Sequence, residues 1–144
     1  MSTSQIRTTL QVCFVDRPNQ AFTARAVYEL TDPYAVQLHF PAPGGTSAVI
    51  WTFARDLLVR GLDEAGRWPL GQGDVSIGPA ETGDYVEITL FPHGPAPRKL
   101  FARRDELTSF VAQIYRRVPN GREDEWIDWS AAWSRLYREL GRAA

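Results

Sequence analysis

The hydrophobic period of this chain changes without a break between Val49 and Leu62. Val49, Trp51 and Phe53 occupy alternate positions, the spacing of a strand with one buried face. Leu57, Leu58 and Leu62 then recur like one face of a short helix, predicted over 55–62. No turn-forming residue stands between the two patterns, so a strand must run straight into a helix near Arg55. That joint is uncommon. It commits the chain to a mixed α+β architecture.

The alternation recurs upstream. Ile6, Thr8, Leu10, Val12 and Phe14 predict one half-buried strand, and Phe22, Ala24, Ala26, Tyr28 and Leu30 a second. Asp16-Arg17-Pro18-Asn19-Gln20 between them is turn chemistry. Asp32-Pro33 opens a third strand, with Tyr34, Val36, Leu38 and Phe40 on one face. Pro41-Ala42-Pro43-Gly44-Gly45 reads as a hairpin loop into a fourth strand over 48–53. Short loops make an antiparallel meander the simplest topology. Gly71-Gln72-Gly73 leads into a brief strand over 74–78, and further strands are expected over 85–91 and 99–102.

Two helices follow. Leu107, Phe110, Val111, Ile114 and Tyr115 give an apolar stripe over 105–117, with Asp105 as its cap and Val118-Pro119-Asn120-Gly121 as its stop. Trp126, Trp129, Trp133, Leu136, Tyr137 and Leu140 follow spacings of three and four, which predicts one helix over 124–140. Acidic residues Glu123, Asp124, Glu125 and Asp128 open it and Arg135, Arg138 and Arg142 close it, as the helix dipole favours. The expected architecture is thus one α+β domain over 1–144. An antiparallel, barrel-like sheet fills most of 1–103, and helices close the chain.

Little in the sequence points to chemistry. His39 and His93 have no Cys or His at ligand spacing. No Gly-x-Ser-x-Gly element is present, and Gly71-x-Gly73 lacks the third glycine of a dinucleotide fingerprint. Asp56, Asp63, Glu64 and Asp74 read as solvated turn and cap residues. No catalytic residue, metal site or cofactor is assigned. Cys13 is the only cysteine, so no intrachain disulfide can form; it reads as a small buried hydrophobe in a strand. Met1-Ser2-Thr3-Ser4-Gln5 lacks a signal pattern, and no segment approaches the ~20 apolar residues of a membrane span. A cytoplasmic protein without a membrane span is the expectation. With 16 basic and 17 acidic residues, a net charge of −1 gives little drive to neutralise phosphates.

Two features remain. Arg55-Asp56 stands at the strand–helix joint. Asp56 can satisfy free helix amides and Arg55 can pair with an acid, or Arg55 can anchor a protein interface. The tail stripe of Trp126, Trp129, Trp133 and Tyr137 either packs on the chain's own sheet or a sister subunit, or docks on another protein.

Three short motifs add a resemblance. Asp32-Pro33-Tyr34-Ala35-Val36, Phe53-Ala54-Arg55-Asp56-Leu57-Leu58 and Gly71-Gln72-Gly73-Asp74-Val75 are weak singly. Their order and spacing resemble the SsgA-like sporulation and cell-division proteins of filamentous actinobacteria. The segment 63–70, with Arg67-Trp68-Pro69, is longer than the family pattern, and the tail from Glu123 onward matches no family motif. The resemblance implies a non-enzymatic regulator or scaffold of sporulation-specific division. It also implies a sheet domain similar to the whirly-type fold and a homo-oligomer, with a trimer favoured. Its partners would be division-ring or septal cell-wall proteins, met at division septa. The alternative is single-stranded nucleic-acid binding by sheet aromatics and arginines, against which the neutral charge counts. A small-ligand or sugar binder using Trp51 or Trp68 lacks a convergent polar set.

Overall fold

A computed structural model describes residues 4–41, 48–63 and 73–143. The alternating segments pair into one seven-stranded sheet in which each neighbouring pair is antiparallel. The strands are β1 (Gln5–Phe14), β2 (Phe22–Glu29), β3 (Ala35–Pro41), β4 (Ala48–Ala54), β5 (Val75–Pro79), β6 (Tyr85–Leu90) and β7 (Arg98–Arg103). Their order is β4-β3-β2-β1-β7-β6-β5, so the first four form the expected meander and β1 is central. Registers such as Ile6↔Tyr28 and Leu10↔Ala24 bring core residues opposite core residues, which a slip of one position would undo.

The sheet curls until its two ends approach. Trp51 of edge strand β4 packs edge-on against Phe91, just beyond β6, with ring centroids 4.8 Å apart. Phe91 holds a φ of +52°, unusual for a residue with a side chain. Helix α1 (Arg55–Leu62) leaves β4 without a loop, as the change of period requires, and packs on β5 at the other edge. Contact there is close: a Cβ on Gly61 would lie 2.5 Å from Ile77 Cγ2. Helix α2 (Arg104–Arg117) follows β7 just as directly and crosses β1.

Sheet residues Leu10, Tyr28, Leu38, Ile77, Ile88 and Leu100 meet Leu58 of α1 and Leu107, Phe110 and Ile114 of α2 in one core. The α2 residues recur at three and four, so one stripe of that helix is buried. Each such side chain contributes roughly 1.5–3 kcal/mol when removed from water. The two helices on the sheet's inner face therefore supply much of the domain's stability.

Several sequence expectations need correction. Tyr34 precedes β3 and is exposed, because the Asp32–Ala35 turn delays the strand. Cys13 is only half-buried: it lies opposite Val12 in the pleat, beside Phe101 of β7, away from the core. Asp105 does not cap α2. It stands two positions past the N-cap, Arg103, and its carboxylate accepts from the Glu106 amide at 2.8 Å and the Arg103 guanidinium at 3.3 Å. The tail is not one helix over 124–140. A 3-10 turn (Glu123–Trp126) comes first, then α3 (Trp129–Ala143). Asp128 resets the helix: its carboxylate accepts from the Ala131 amide and its carbonyl from Ala132, both at 3.0 Å. Trp126 therefore lies off the helix that carries Trp129, Trp133 and Tyr137. The 42–45 part of the Pro/Gly loop, the Arg67-Trp68-Pro69 segment and Gly71-Gln72 fall outside the described residues.

Candidate interaction site: an exposed helix on a buried arginine root

Arg55 is the first residue of α1 and is 3% exposed. It stands where β2, the start of β3, the end of α2 and the tail converge. Its guanidinium donates to the Val118 carbonyl at 2.8 Å and to the Tyr28 hydroxyl at 3.4 Å. It lies 4.2 Å from the centroid of the Tyr115 ring and forms an ion pair with buried Glu123. Tyr28 in turn donates to the Pro33 carbonyl at 2.8 Å. The second Glu123 oxygen accepts from the Gly121 amide at 2.9 Å, in a turn where Gly121 takes φ of +90°. Among the described residues no buried side-chain polar atom lacks a partner.

Tyr34 makes a second fastening. Its carbonyl accepts from the Arg55 amide at 2.8 Å, satisfying the start of α1, and its hydroxyl donates to Asp124 at 2.6 Å. Two consecutive acids of the tail, Glu123 and Asp124, are thus tied to two ends of the strand–helix joint. The electrostatics agree. Burial pushes the Tyr28 phenol up to about 12, with neighbouring Arg55 opposing it. The hydrogen bond to Asp124 raises the Tyr34 phenol. Glu123 is held below its ordinary carboxylate value by its own backbone amide first, then by Arg55 and Gly121, against the cost of burial.

Beyond this root, every described residue of α3 through Gly141 is exposed. Trp129, Trp133, Leu136, Tyr137 and Leu140 are 48%, 53%, 42%, 69% and 58% exposed, and Trp126 at the root 36%. At 100° per residue the five α3 residues fall on one side of the helix, and Arg135 and Arg138 on the other. Trp133 and Tyr137 touch only loosely, at 6.3 Å between ring centroids. The apolar face is not packed on the chain's own sheet.

The site residues named from sequence therefore separate. Trp129, Trp133 and Tyr137 share a face, Trp126 sits at its base, and Arg55 is inside the protein. Arg55 cannot meet a partner directly, because burial and four internal contacts occupy it. Sequence reasoning missed Glu123 as its partner, reading it as a helix-dipole residue. No local signal could reveal a pair 68 positions apart. Among the described residues no group of three or more metal-ligating side chains occurs, and no helix is long and apolar enough to cross a membrane.

A family model described as Streptomyces sporulation and cell division protein, SsgA, matches residues 22–123. The chain belongs to this family. SsgB of Salinispora tropica, named a sporulation-specific cell division protein, is 39% identical over 139 residues, covering 94% of this chain and 93% of its own. A Thermobifida fusca SsgA-like sporulation-specific cell division protein of known structure superposes with a TM-score of 0.73 at 31% identity. It covers 94% of this chain and 99% of its own. Streptomyces coelicolor SsgB, whose structure is described with mutations that correlate to longitudinal cell division during sporulation, gives 0.70 at 32%, over 88% and 100%.

The matched region ends at Glu123, the residue that closes on Arg55, and α3 lies beyond it. Two of the three recognised motifs meet in space. Pro33 and Tyr34 from the first fasten Tyr28 and Arg55, and Arg55 comes from the second. These two segments, both inside the matched region, form the joint that holds the tail.

Proposed function

We propose that the chain is a non-enzymatic regulator of sporulation-specific cell division that acts as a scaffold. Family membership supports the process, and the uncovered apolar face of α3 carries the mode of action. Five large apolar side chains on one exposed face form a patch of the kind that marks a binding surface. Trp and Tyr with nearby Arg are common anchors of protein interfaces. In this reading Trp129, Trp133 and Tyr137 contact a division-ring or septal cell-wall protein. Trp126 completes the base of the surface, and Arg55 fixes its orientation from within. The protein works in the cytoplasm, is recruited to division septa, and presents the helix from a homo-oligomer, with a trimer favoured.

The test is a fluorescent fusion of the full chain in sporulating cells. A Trp129→Ser/Trp133→Ser/Tyr137→Ser variant should be folded yet diffuse, with fewer sporulation septa. Normal septal fluorescence from that variant refutes the assignment.

A further inference from the structure

A second surface differs from α3 in chemistry and is independent of it. Between the start of β1 and the end of α2 lies a shallow cavity of about 320 Å³. Gln5, Ile6, Arg7, Gln113, Arg116 and Arg117 line it, three cations and two amides with no carboxylate in the wall. Gln5 organises one of the cations. Its oxygen accepts from Arg7 Nε at 2.6 Å while its nitrogen donates to Glu29. That uses the inner nitrogen of Arg7 and leaves the terminal pair of its fork for a ligand. Arg116 and Arg117 have no ion-pair or hydrogen-bond partner among the described residues. The dipole of α2 accounts for basic residues in its last turn, but not for Arg7 brought beside them from another element.

We propose that this groove binds an acidic polypeptide segment, with carboxylates paired to Arg7, Arg116 and Arg117 and backbone groups met by Gln5 and Gln113. Arginine forks match carboxylates in bidentate geometry. A nucleic acid fits less well. No aromatic ring lines the groove for base stacking, and the whole chain carries a charge of −1.

The probe is fluorescently labelled hexaglutamate, titrated by anisotropy against the full chain at low salt. The wild type should bind, and added salt should weaken binding as charge screening requires. Affinity should fall roughly tenfold or more in Arg7→Gln/Arg116→Gln/Arg117→Gln, the loss expected when charge-assisted pairs are removed. The melting temperature of that variant should match the wild type. Arg135→Gln/Arg138→Gln/Arg142→Gln, which alters α3 alone, should bind like the wild type. Absence of hexaglutamate binding, equal binding by the groove variant, or equal loss in the α3 variant overturns the proposal. So does tighter binding of a labelled oligothymidylate that the groove variant loses, which would assign the groove to nucleic acid.

Discussion

Arg55 shows how one side chain can hold a tail to a domain. Removing it leaves Glu123 buried and without its cation. Arg55→Met should therefore cost roughly 3–5 kcal/mol, the usual result of breaking one side of a buried pair. Urea denaturation measures it, and a second change, Glu123→Leu, should restore part of the loss. The pair also sets an acid limit. Glu123 has its folded value below the ordinary 4.5, so its contribution is present above that pH and lost as pH falls through the folded value. Thermal unfolding across acid pH should show the wild type losing its advantage over Glu123→Gln. Tyr28 sets an alkaline limit in the opposite sense. Its phenol moves from 10.0 to about 12, so the unfolded chain deprotonates first and stability declines between those values. Spectrophotometric titration should find one phenol ionising late in the wild type and absent from Tyr28→Phe.

At the scale of elements, legibility followed the range of the cause. The β4–α1 joint was readable because a period change is local, and α1 spans Arg55–Leu62 as the sequence implied. Apart from the start of β3, which the Asp32–Ala35 turn delays, strand limits were readable to within one or two residues for the same reason. The tail misled because its apolar spacing runs smoothly through Trp126 and Trp129. What splits it is Asp128 capping a new helix while Glu123 and Asp124 are held from outside. Close packing was equally invisible: nothing near Gly61 announces that Ile77 lies against it. Gly61→Ala should destabilise the fold by roughly 1–3 kcal/mol, as overpacking does, because both Ile77 side-chain atoms and its carbonyl stand in the way. Calorimetry should show the lower melting temperature, whereas Gly141→Ala, with open space around it, should leave the temperature unchanged or raise it.

Across the whole molecule, apolar burial is unevenly shared. The sheet, α1 and α2 bury their apolar faces against one another, while α3 leaves its own in water. A Trp whose truncation costs roughly 3–5 kcal/mol is one packed in a core. Trp133 is 53% exposed and sits on a helix whose described residues are exposed through Gly141. Trp133→Ala should therefore leave the melting temperature within about two degrees of the wild type, since exposed sites away from special features change stability by ~0.5 kcal/mol or less. Sedimentation should also find the variant in the same state of assembly as the wild type, because the contact proposed for this face is with a foreign protein. Septal localisation should be what it loses. A variant that falls apart into subunits would instead place α3 in the seam between copies of the chain. The surface offered to the division machinery would then have to be sought elsewhere on the sheet.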